Sequence, residues 1–413
     1  MTMLPERLLT QVYSLRHQVN AGVRPGAAYG ARQEAVLGTA GIARACEEIR
    51  RWPGYRPTPF LRLDGLADAA GVGAIRYKDE APRFGLGSFK ALGGAYAVAC
   101  VLIGVIRERT GLMDVSTDDL LSGRFAGITG EVTVTCATDG NHGRSVAWGA
   151  QQFGCNCVIY IHATVSEGRE QAIARYGAKV VRTSGNYDAS VRQASEDAHR
   201  NGWIVVSDTS YPGYMDIPRH VMEGYVLMAE EAIAQAGDEV PTHVLIPGGV
   251  GGFAAAVIAA YWRRFGAGRP RMIVVEPDHA ACIHASAAAG RPTAVEGDLD
   301  TIMAGLACGE VSLLAWEILD EGMDDVLVVP DGAAADCMRL LARGVAGDSP
   351  LVAGESAVAG LAGLLVARDH PGIWQALALG PDSRVLLFGS EGATDPEVYR
   401  EIVGRPAEEV ASP

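Results

Sequence analysis

The sequence predicts an α/β protein built from two open, twisted parallel sheets, and two observations support this fold class. Short apolar strands alternate with helices of about 10–15 residues, first between about residues 95 and 225 and again after Glu230. This alternation is typical of βαβ units, which build parallel sheets. Glycine and proline cluster where the predicted strands end, and open α/β folds build their sites there. We expect two domains with the site between them, a larger one of residues 1–94 and 226–413 and a smaller one of residues 95–225 inserted in it.

The composition restricts the class of function. The chain has 413 residues, of which 48% are hydrophobic and 20% charged, and its net charge is −14. An acidic surface disfavours binding to nucleic acids and to anionic membranes. The longest apolar run, residues 91–106, is shorter than the roughly 20 residues that span a bilayer, and the N-terminal residues show no secretory signal. We expect a cytoplasmic protein that binds small molecules and copies of itself.

Eight cysteines are scattered along the chain. None forms a CxxC pair or a Cys/His cluster with zinc spacing, so we expect no metal site. Their scatter suggests a reducing cytosol, in which most of them pack as small apolar residues.

The predicted elements lead to four loops at which chemistry could occur. An amphipathic helix over residues 43–50 and an extended Arg56-Pro57-Thr58-Pro59 turn precede the first strand. Strands are predicted over residues 75–78, 132–136, 157–161, 179–182, 203–206, 243–246, 271–275 and 385–388. Helices are predicted over residues 91–106, 166–176, 187–199 and 254–262, and from the end of the 138–143 loop to about residue 153.

The first loop, residues 83–94, presents Lys90 behind a Gly/Ser turn and in front of an apolar helix. A lysine at the mouth of a buried helix is costly unless it is neutral, paired or covalently used. The positive end of the helix dipole also repels a cation. The lysine either reaches solvent along its apolar stem or is used chemically.

The second loop is Gly248-Gly249-Val250-Gly251-Gly252, between a strand and a helix. Closely spaced glycines let backbone N–H groups approach an anion, and the helix N-terminus favours negative charge. The pattern is typical of a phosphate-binding loop. A dinucleotide fingerprint is an alternative, since the next strand ends in Glu276, a candidate ribose partner. A tight turn without a ligand is the third interpretation.

The third loop, residues 138–143, combines Thr138 with a helix start, and such a group can bind a carboxylate. Asp139 would repel that anion, so it is either an N-cap or an acid/base group. His142 alone is more typical of a helix start than of a catalyst. Outside these four loops, Asp208 lies in the segment of residues 206–211 after another strand, where an Asx-turn is the ordinary interpretation. The fourth loop, Gly389-Ser390-Glu391-Gly392, could equally be a simple turn.

The order of these loops resembles the fold-type II pyridoxal-phosphate (PLP) enzymes, the tryptophan synthase β / threonine deaminase group. Within the group the chain is most similar to the 2,3-diaminopropionate ammonia-lyases, from about Tyr55 to Tyr399. The motifs that carry the resemblance are Lys78-Asp79-Glu80, Arg83-Phe84-Gly85-Leu86, Phe89-Lys90, Ala137-Thr138-Asp139-Gly140-Asn141-His142-Gly143-Arg144, Asp208-Thr209, Met303-Ala304-Gly305-Leu306-Ala307-Cys308-Gly309-Glu310 and Glu391-Gly392.

The resemblance implies PLP as cofactor and a role for each loop. Lys90 would bind the cofactor covalently, Phe89 would pack on its ring, and Asn141 would hydrogen-bond its phenolic oxygen. Ser390 would face the pyridine nitrogen and leave it largely unprotonated, which favours prompt β-elimination. The backbone N–H groups that would hold the phosphate belong to Gly248, Gly249, Val250, Gly251 and Gly252.

The resemblance also implies the reaction, in which 2,3-diaminopropionate (D, L or both) loses ammonia and gives pyruvate via aminoacrylate. Thr138, Gly140 and His142 would hold the substrate carboxylate. Lys90 and Asp139 would be bases on opposite faces of the substrate. Asp208, with Tyr187 as a second candidate, would recognise the distal amino group, because a carboxylate suits a β-ammonium better than a β-hydroxyl.

Three departures from the family pattern bear on the substrate: Val311, Gly87-Ser88 and Ala393 replace the residues that we associate with those positions. The alternatives are a PLP-dependent serine/threonine dehydratase or another β-elimination or β-replacement enzyme, a nicotinamide-dependent dehydrogenase, and a non-catalytic ligand-binding protein. The resemblance further implies a homodimer and puts Cys282 and Cys308 where a disulfide could form.

Overall fold

The chain folds into two compact units. The computed structural model describes residues 7–138, 140–185 and 187–411. The first unit consists of the chain up to Glu34, Thr58–Pro82 and the chain from Ala229 onward. The second consists of Ala35–Pro57 and Arg83–Met228.

The strands lie close to the predicted positions, with additional strands at the sheet edges and near residue 327. In chain order they are β1 Arg16–Val19, β2 Phe60–Arg62, β3 Ala74–Asp79, β4 Thr133–Ala137, β5 Asn156–Ile161, β6 Lys179–Arg182, β7 Ile204–Val205, β8 His243–Pro247, β9 Arg271–Pro277, β10 Asp325–Val329 and β11 Arg384–Gly389.

The helices cover the sheets and connect their strands. They are α1 Ala31–Glu34, α2 Thr39–Arg50, α3 Asp64–Ala70, α4 Ala91–Thr110, α5 Thr117–Leu121, α6 Ala126–Thr129, α7 Asn141–Phe153, α8 Glu167–Ala174, α9 Tyr187–Asn201, α10 Asp216–Ala236, α11 Gly252–Phe265, α12 Cys282–Ala289, α13 Leu313–Gly322, α14 Asp331–Arg343, α15 Ala359–Arg368, α16 Pro371–Ala376, α17 Pro396–Val403 and α18 Ala407–Ala411. Short 3₁₀ turns occupy Arg83–Gly85, Gly266–Gly268 and Ala304–Leu306.

The first unit contains a seven-stranded sheet in the order β1-β10-β9-β8-β11-β3-β2. The interior pairs are parallel, and in their register Leu386 lies opposite Val244 on one side and Arg76 on the other. Strands β8 and β10 are buried along their whole length, as parallel strands covered on both faces should be. The prediction of a parallel sheet was incomplete at both edges, because β1 and β2 pair antiparallel with their neighbours.

The second unit contains a four-stranded sheet in the order β6-β5-β4-β7, with all pairs parallel. Helices α7 and α9 both pack on β4 and β5. Strand β7 is only two residues long, shorter than the predicted 203–206, and lies at the edge of the sheet.

Helix α4 places the Lys90 loop against the second unit's core. It is long and apolar enough to cross a membrane by length and composition, but 61% of its apolar window is buried in the protein. Glycines allow very close packing: a Cβ at Gly94 would lie 1.9 Å from Ser145 Oγ of α7, and one at Gly93 would lie 2.4 Å from Tyr225 Cε1 of α10. The helix therefore cannot shift without displacing both neighbours.

The division into units differs from the predicted insertion of residues 95–225. Residues 35–57 and 83–94 also belong to the second unit. The physical reason is the continuity of α4, which begins at Ala91 and packs along α7 and α2. A boundary after residue 94 would cut this helix within its first turn.

Candidate active site

The loop before Lys90 is held in an uncommon backbone conformation. Phe84, Gly85 and Gly87 have φ values of 50°, 71° and 79°. The non-glycine outlier is Phe84, whose ring packs on Trp148 with centroids 5.0 Å apart. The Leu86 carbonyl accepts a 2.8 Å hydrogen bond from Arg144 of α7. These contacts stabilise the strained turn that delivers Lys90 to the start of α4.

Lys90 is paired with a carboxylate. Its Nζ donates to Asp208 Oδ2 at 2.7 Å, and the two side chains are only 17% and 18% exposed. The ammonium also lies 5.4 Å from the ring centroid of Phe89 and 5.8 Å from that of Tyr225. The sequence left open how a lysine at the start of a buried helix is compensated. In the structure a carboxylate and two aromatic rings compensate the cation.

Lys90 is also the lysine best placed for chemistry among the three in the sequence, which are Lys78, Lys90 and Lys179. Lys78 is fully buried, and its ammonium donates to Glu231, to the Thr58 carbonyl and to the Gln235 side chain. Lys179 is exposed on the sheet-edge strand β6.

Asp208 stays ionised next to Lys90. Burial alone would raise the pKa of this carboxyl, but the ammonium of Lys90 outweighs burial and, with His142, holds the pKa well below its usual range. An ionised carboxylate that accepts a hydrogen bond from one primary ammonium at 2.7 Å has the charge and geometry to accept one from another primary ammonium in its place.

His142 lies beside Asp208 with a defined tautomer. Its Nε2 bonds the Val206 carbonyl at 2.8 Å, and since a carbonyl only accepts, Nε2 carries the proton. Burial lowers the pKa of His142. Its Nδ1, 3.8 Å from Asp208 Oδ2, has no hydrogen-bond partner among the residues that the structure describes. The neutral side chain thus supports the strand end before Asp208, and the backbone N–H of His142 lies in the first turn of α7.

The loop between β4 and α7 is organised by Thr138. Its Oγ1 accepts the N–H groups of Gly140 and Gly143, both at 3.0 Å. With both lone pairs engaged, the hydroxyl is left to donate its proton. The first helical hydrogen bond of α7 runs from Arg144 to the Gly140 carbonyl, so the N–H groups of Asn141 and His142 have no acceptor within the helix. The arrangement suits an anion such as a carboxylate. Asp139 lies outside the described residues.

The glycine loop in the first unit requires its glycines. Gly249 and Gly251 have φ values of 67° and 88°, and a Cβ at Gly251 would lie 2.8 Å from Leu319 Cδ1. Ala255 donates the first helical hydrogen bond of α11 to the Gly251 carbonyl. The N–H groups of Gly252 and the next two residues therefore have no acceptor within the helix, which is the arrangement of an anion-binding N-terminus.

Glu276 does not act as a ribose partner. The residue is fully buried, and its two oxygens accept the N–H groups of Ile283 at 2.9 Å and His284 at 2.7 Å, at the start of α12. Burial raises the pKa of Glu276 to about 8. Because this carboxyl already caps a helix, the dinucleotide interpretation of the glycine loop loses its acidic partner.

Two predicted site residues remain, Ser390 and Tyr187. Ser390 is 4% exposed and directly follows β11, whose last carbonyl accepts the Glu80 N–H at 2.8 Å. Tyr187 begins α9 with a side chain that is 41% exposed, and its role in substrate binding stays a prediction.

The Cys282–Cys308 disulfide that the resemblance made possible is not formed, since none of the eight cysteines is in a disulfide. The Cys282 thiol instead donates to the Gly249 carbonyl at 3.6 Å, within the glycine loop. Burial raises the pKa of this thiol, which keeps it protonated as that donor.

Two aromatic residues near Asp208 were not predicted. Tyr225 is buried and packs on Phe89 with centroids 4.7 Å apart. Tyr214 donates its hydroxyl to the Val205 carbonyl at 2.8 Å and accepts the Ser207 N–H at 2.9 Å. A signal for Tyr214 existed, because Tyr211-Pro212-Gly213-Tyr214 is typical of a type II turn, and Gly213 has the required positive φ of 85°.

The chain matches known proteins over most of its length. Residues 51–385 match the family described as pyridoxal-phosphate dependent enzyme. A diaminopropionate ammonia-lyase from Escherichia coli strain K12 is 43% identical over 85% of this chain and 88% of its own. One from Salmonella typhimurium strain LT2 is 38% identical over 86% of this chain and 89% of its own.

Solved structures agree with these relatives. A holo diaminopropionate ammonia lyase from Escherichia coli superposes with a TM-score of 0.86 at 38% identity, covering 95% of this chain and 97% of that one. The same enzyme in complex with an aminoacrylate-PLP azomethine reaction intermediate has a TM-score of 0.84 at 36% identity, covering 95% of this chain and 98% of that one. The chain therefore belongs to the pyridoxal-phosphate-dependent enzymes and, within them, to the diaminopropionate ammonia-lyase family.

Proposed function

We propose that the protein eliminates ammonia from 2,3-diaminopropionate, so that the substrate and one water give pyruvate and two ammonia molecules via aminoacrylate. The observation that carries this proposal is the 2.7 Å contact between the Lys90 ammonium and the Asp208 carboxylate. The family resemblance makes Lys90 the lysine that binds the cofactor. Asp208 is a carboxylate suited to the distal ammonium, the group that distinguishes diaminopropionate from serine and threonine.

The described residues fit PLP. Lys90 offers an amine in a part-buried aromatic setting. The start of α11, whose first intrahelical hydrogen bond runs from Ala255 to Gly251, has the geometry of an anion-binding helix N-terminus. The resemblance assigns Phe89 to the cofactor ring, Asn141 to its phenolic oxygen and Ser390 to its pyridine nitrogen, and each side chain is chemically suited to that contact. When bound, PLP withdraws electrons from the substrate Cα and so acidifies the Cα proton.

The substrate carboxylate is assigned to the loop between β4 and α7. The Thr138 hydroxyl accepts two backbone N–H groups and so has its proton to donate, and the His142 N–H lies in the first turn of α7. Donors already oriented by the fold need little reorganisation when the anion arrives.

The distal amino group is assigned to Asp208. Its carboxylate is ionised and accepts from an ammonium, which a β-hydroxyl substrate cannot supply. Once the lysine is engaged with the cofactor, Asp208 is left to hold the substrate ammonium.

Proton transfer at the substrate Cα is assigned to two bases. Lys90 Nζ would take the proton from one face and the Asp139 carboxylate from the other, as the family resemblance implies. Two bases on opposite faces would allow both the D- and the L-isomer to react.

A pyruvate-release assay tests the function. The purified holoenzyme is offered D- and L-diaminopropionate, serine and threonine at equal concentrations, and the Asp208→Asn variant is measured in parallel. We expect the highest kcat/KM on diaminopropionate, and we expect the variant to lose most of that preference. Pyruvate from serine or threonine but not from diaminopropionate would instead favour the dehydratase alternative.

We also propose that the protein is a cytoplasmic homodimer. The family resemblance supports the dimer, and eight cysteines without a disulfide are consistent with a reducing compartment. Sedimentation velocity should give about twice the mass of one chain, and a monomer at micromolar concentration would contradict the dimer. Fractionation of the source cells should recover the protein with the soluble cytoplasmic markers.

A further inference from the structure

Asp208 follows a strand that the sheet itself holds weakly. Strand β7 has two residues and pairs with β4 on one side, and no strand covers its other side within the part of the chain that the structure describes. On the β4 side, Val206 donates to the Thr135 carbonyl at 2.8 Å and accepts from His142 at 2.8 Å. A residue's N–H and C=O point to one side of a strand, so the groups of Val205 and Ser207 point to the open side.

Tyr214 takes the place of the missing neighbour on that open side. Its hydroxyl donates to the Val205 carbonyl and accepts from the Ser207 N–H, the same i and i+2 groups that a neighbouring strand would engage. The hydroxyl uses its one proton and one lone pair for this. Asp208 is the next residue along the chain, so its backbone is restrained from both sides.

The turn that carries Tyr214 is itself well ordered. Tyr211 and Tyr214 exchange backbone hydrogen bonds of 2.9 and 3.3 Å across the Pro212-Gly213 turn. Their rings stack at 4.9 Å and 15°. The Tyr211 side chain is 50% exposed, and it shields the face of the Tyr214 ring.

We propose that Tyr214 is a positioning residue for Asp208, whose hydroxyl sets where the carboxylate meets the distal ammonium of the substrate. The inference rests on the proposed function for the identity of that ammonium. Loss of the hydroxyl would leave two backbone groups unpaired on the open side of β7 and let the strand end move. The carboxylate would then meet the ammonium less well, while the groups that bind the carboxylate end of the substrate would be unaffected.

The test compares Tyr214→Phe with Tyr211→Phe, a matched control that removes an exposed phenol from the same turn. For Tyr214→Phe we expect the KM for diaminopropionate to rise roughly three- to tenfold, the cost of one hydrogen bond, with kcat nearly unchanged. The inhibition constant of serine as a competitor of diaminopropionate should not change, because serine lacks the distal ammonium. Tyr211→Phe should behave like the wild type. Gly213→Ala, which strains the positive-φ turn, should reproduce the selective rise if Tyr214→Phe folds poorly.

A double-mutant cycle shows whether the effect passes through Asp208. In an Asp208→Asn background, Tyr214→Phe should add no further rise in KM. Hydrogen exchange of the Ser207 amide, measured without substrate, should be faster in Tyr214→Phe than in Tyr211→Phe.

Three results would overturn the inference: equal constants for the two tyrosine variants, an equal loss for serine, or an undiminished effect in the Asp208→Asn background. The absence of pyruvate from diaminopropionate with the wild-type enzyme would refute the proposed function and with it the ammonium role.

Discussion

Lys90 Nζ donates to Asp208 Oδ2 at 2.7 Å, and the two residues are 118 positions apart in the sequence. Both belong to the second unit, where the residue before α4 supplies the lysine and the segment after β7 supplies the carboxylate. The same carboxylate that compensates the lysine can compensate a substrate ammonium. In the structure, the Lys90 ammonium thus keeps the Asp208 carboxylate ionised.

Replacing Lys90 tests the covalent role directly. Lys90→Ala should abolish borohydride-stable attachment of the cofactor and reduce pyruvate release by several orders of magnitude. Since the chain has three lysines and Lys78 is buried in an ion pair, Lys179→Ala on the exposed β6 is the matched control. Mass spectrometry of the reduced holoenzyme should place the adduct on Lys90, and an adduct retained in Lys90→Ala would contradict the assignment.

The two-base hypothesis predicts a stereochemical difference. Asp139→Asn should reduce turnover of the D-isomer by roughly 100-fold or more, because it removes a general base, and should reduce turnover of the L-isomer much less. Separate kinetic assays on the two isomers measure this. Equal losses on both isomers would mean that Asp139 serves the fold or the cofactor instead.

The glycine loop should not tolerate a side chain at its second positive-φ position. In Gly251→Ala a Cβ would meet Leu319 Cδ1 at 2.8 Å with φ at 88°, so we expect weaker cofactor binding and a stability loss of about 1–3 kcal/mol. Gly268→Ala is the control, since a Cβ there meets nothing within 4 Å. Cofactor titration and urea unfolding give both quantities, and an unchanged cofactor affinity would remove the loop from the phosphate site.

The raised pKa of the buried Glu276 carboxyl should make the free energy of unfolding depend on pH. Burial raises its pKa to about 8 in the folded protein, well above the usual value of about 4.5, so the folded state keeps a proton that the unfolded state loses. Its contribution to the unfolding free energy should therefore decrease as pH rises from about 5 to about 8. Glu276→Gln cannot ionise and should flatten that part of the profile in urea unfolding. Parallel profiles for the two proteins would show that Glu276 titrates normally.

Several parts of the site could be predicted because their signal is local. Lys90 stands out behind a Gly/Ser turn, and Gly248–Gly252 stand out between an apolar strand and an apolar helix. Other elements have weaker signals. Strands β1 and β2 are short edge strands without a crossover helix, and β10 was not predicted, although four of its five residues are apolar.

Periodicity and side-chain chemistry can be read along the chain, and they were enough to predict the alternation of strands and helices, the positions of the four loops and the resemblance to PLP enzymes. Which groups meet depends on the tertiary structure. It paired Lys90 with Asp208, engaged both oxygens of Glu276 within α12, and put the Tyr214 hydroxyl on the open side of β7. Such contacts depend on packing that joins separate elements, and no local pattern in the sequence records their distances.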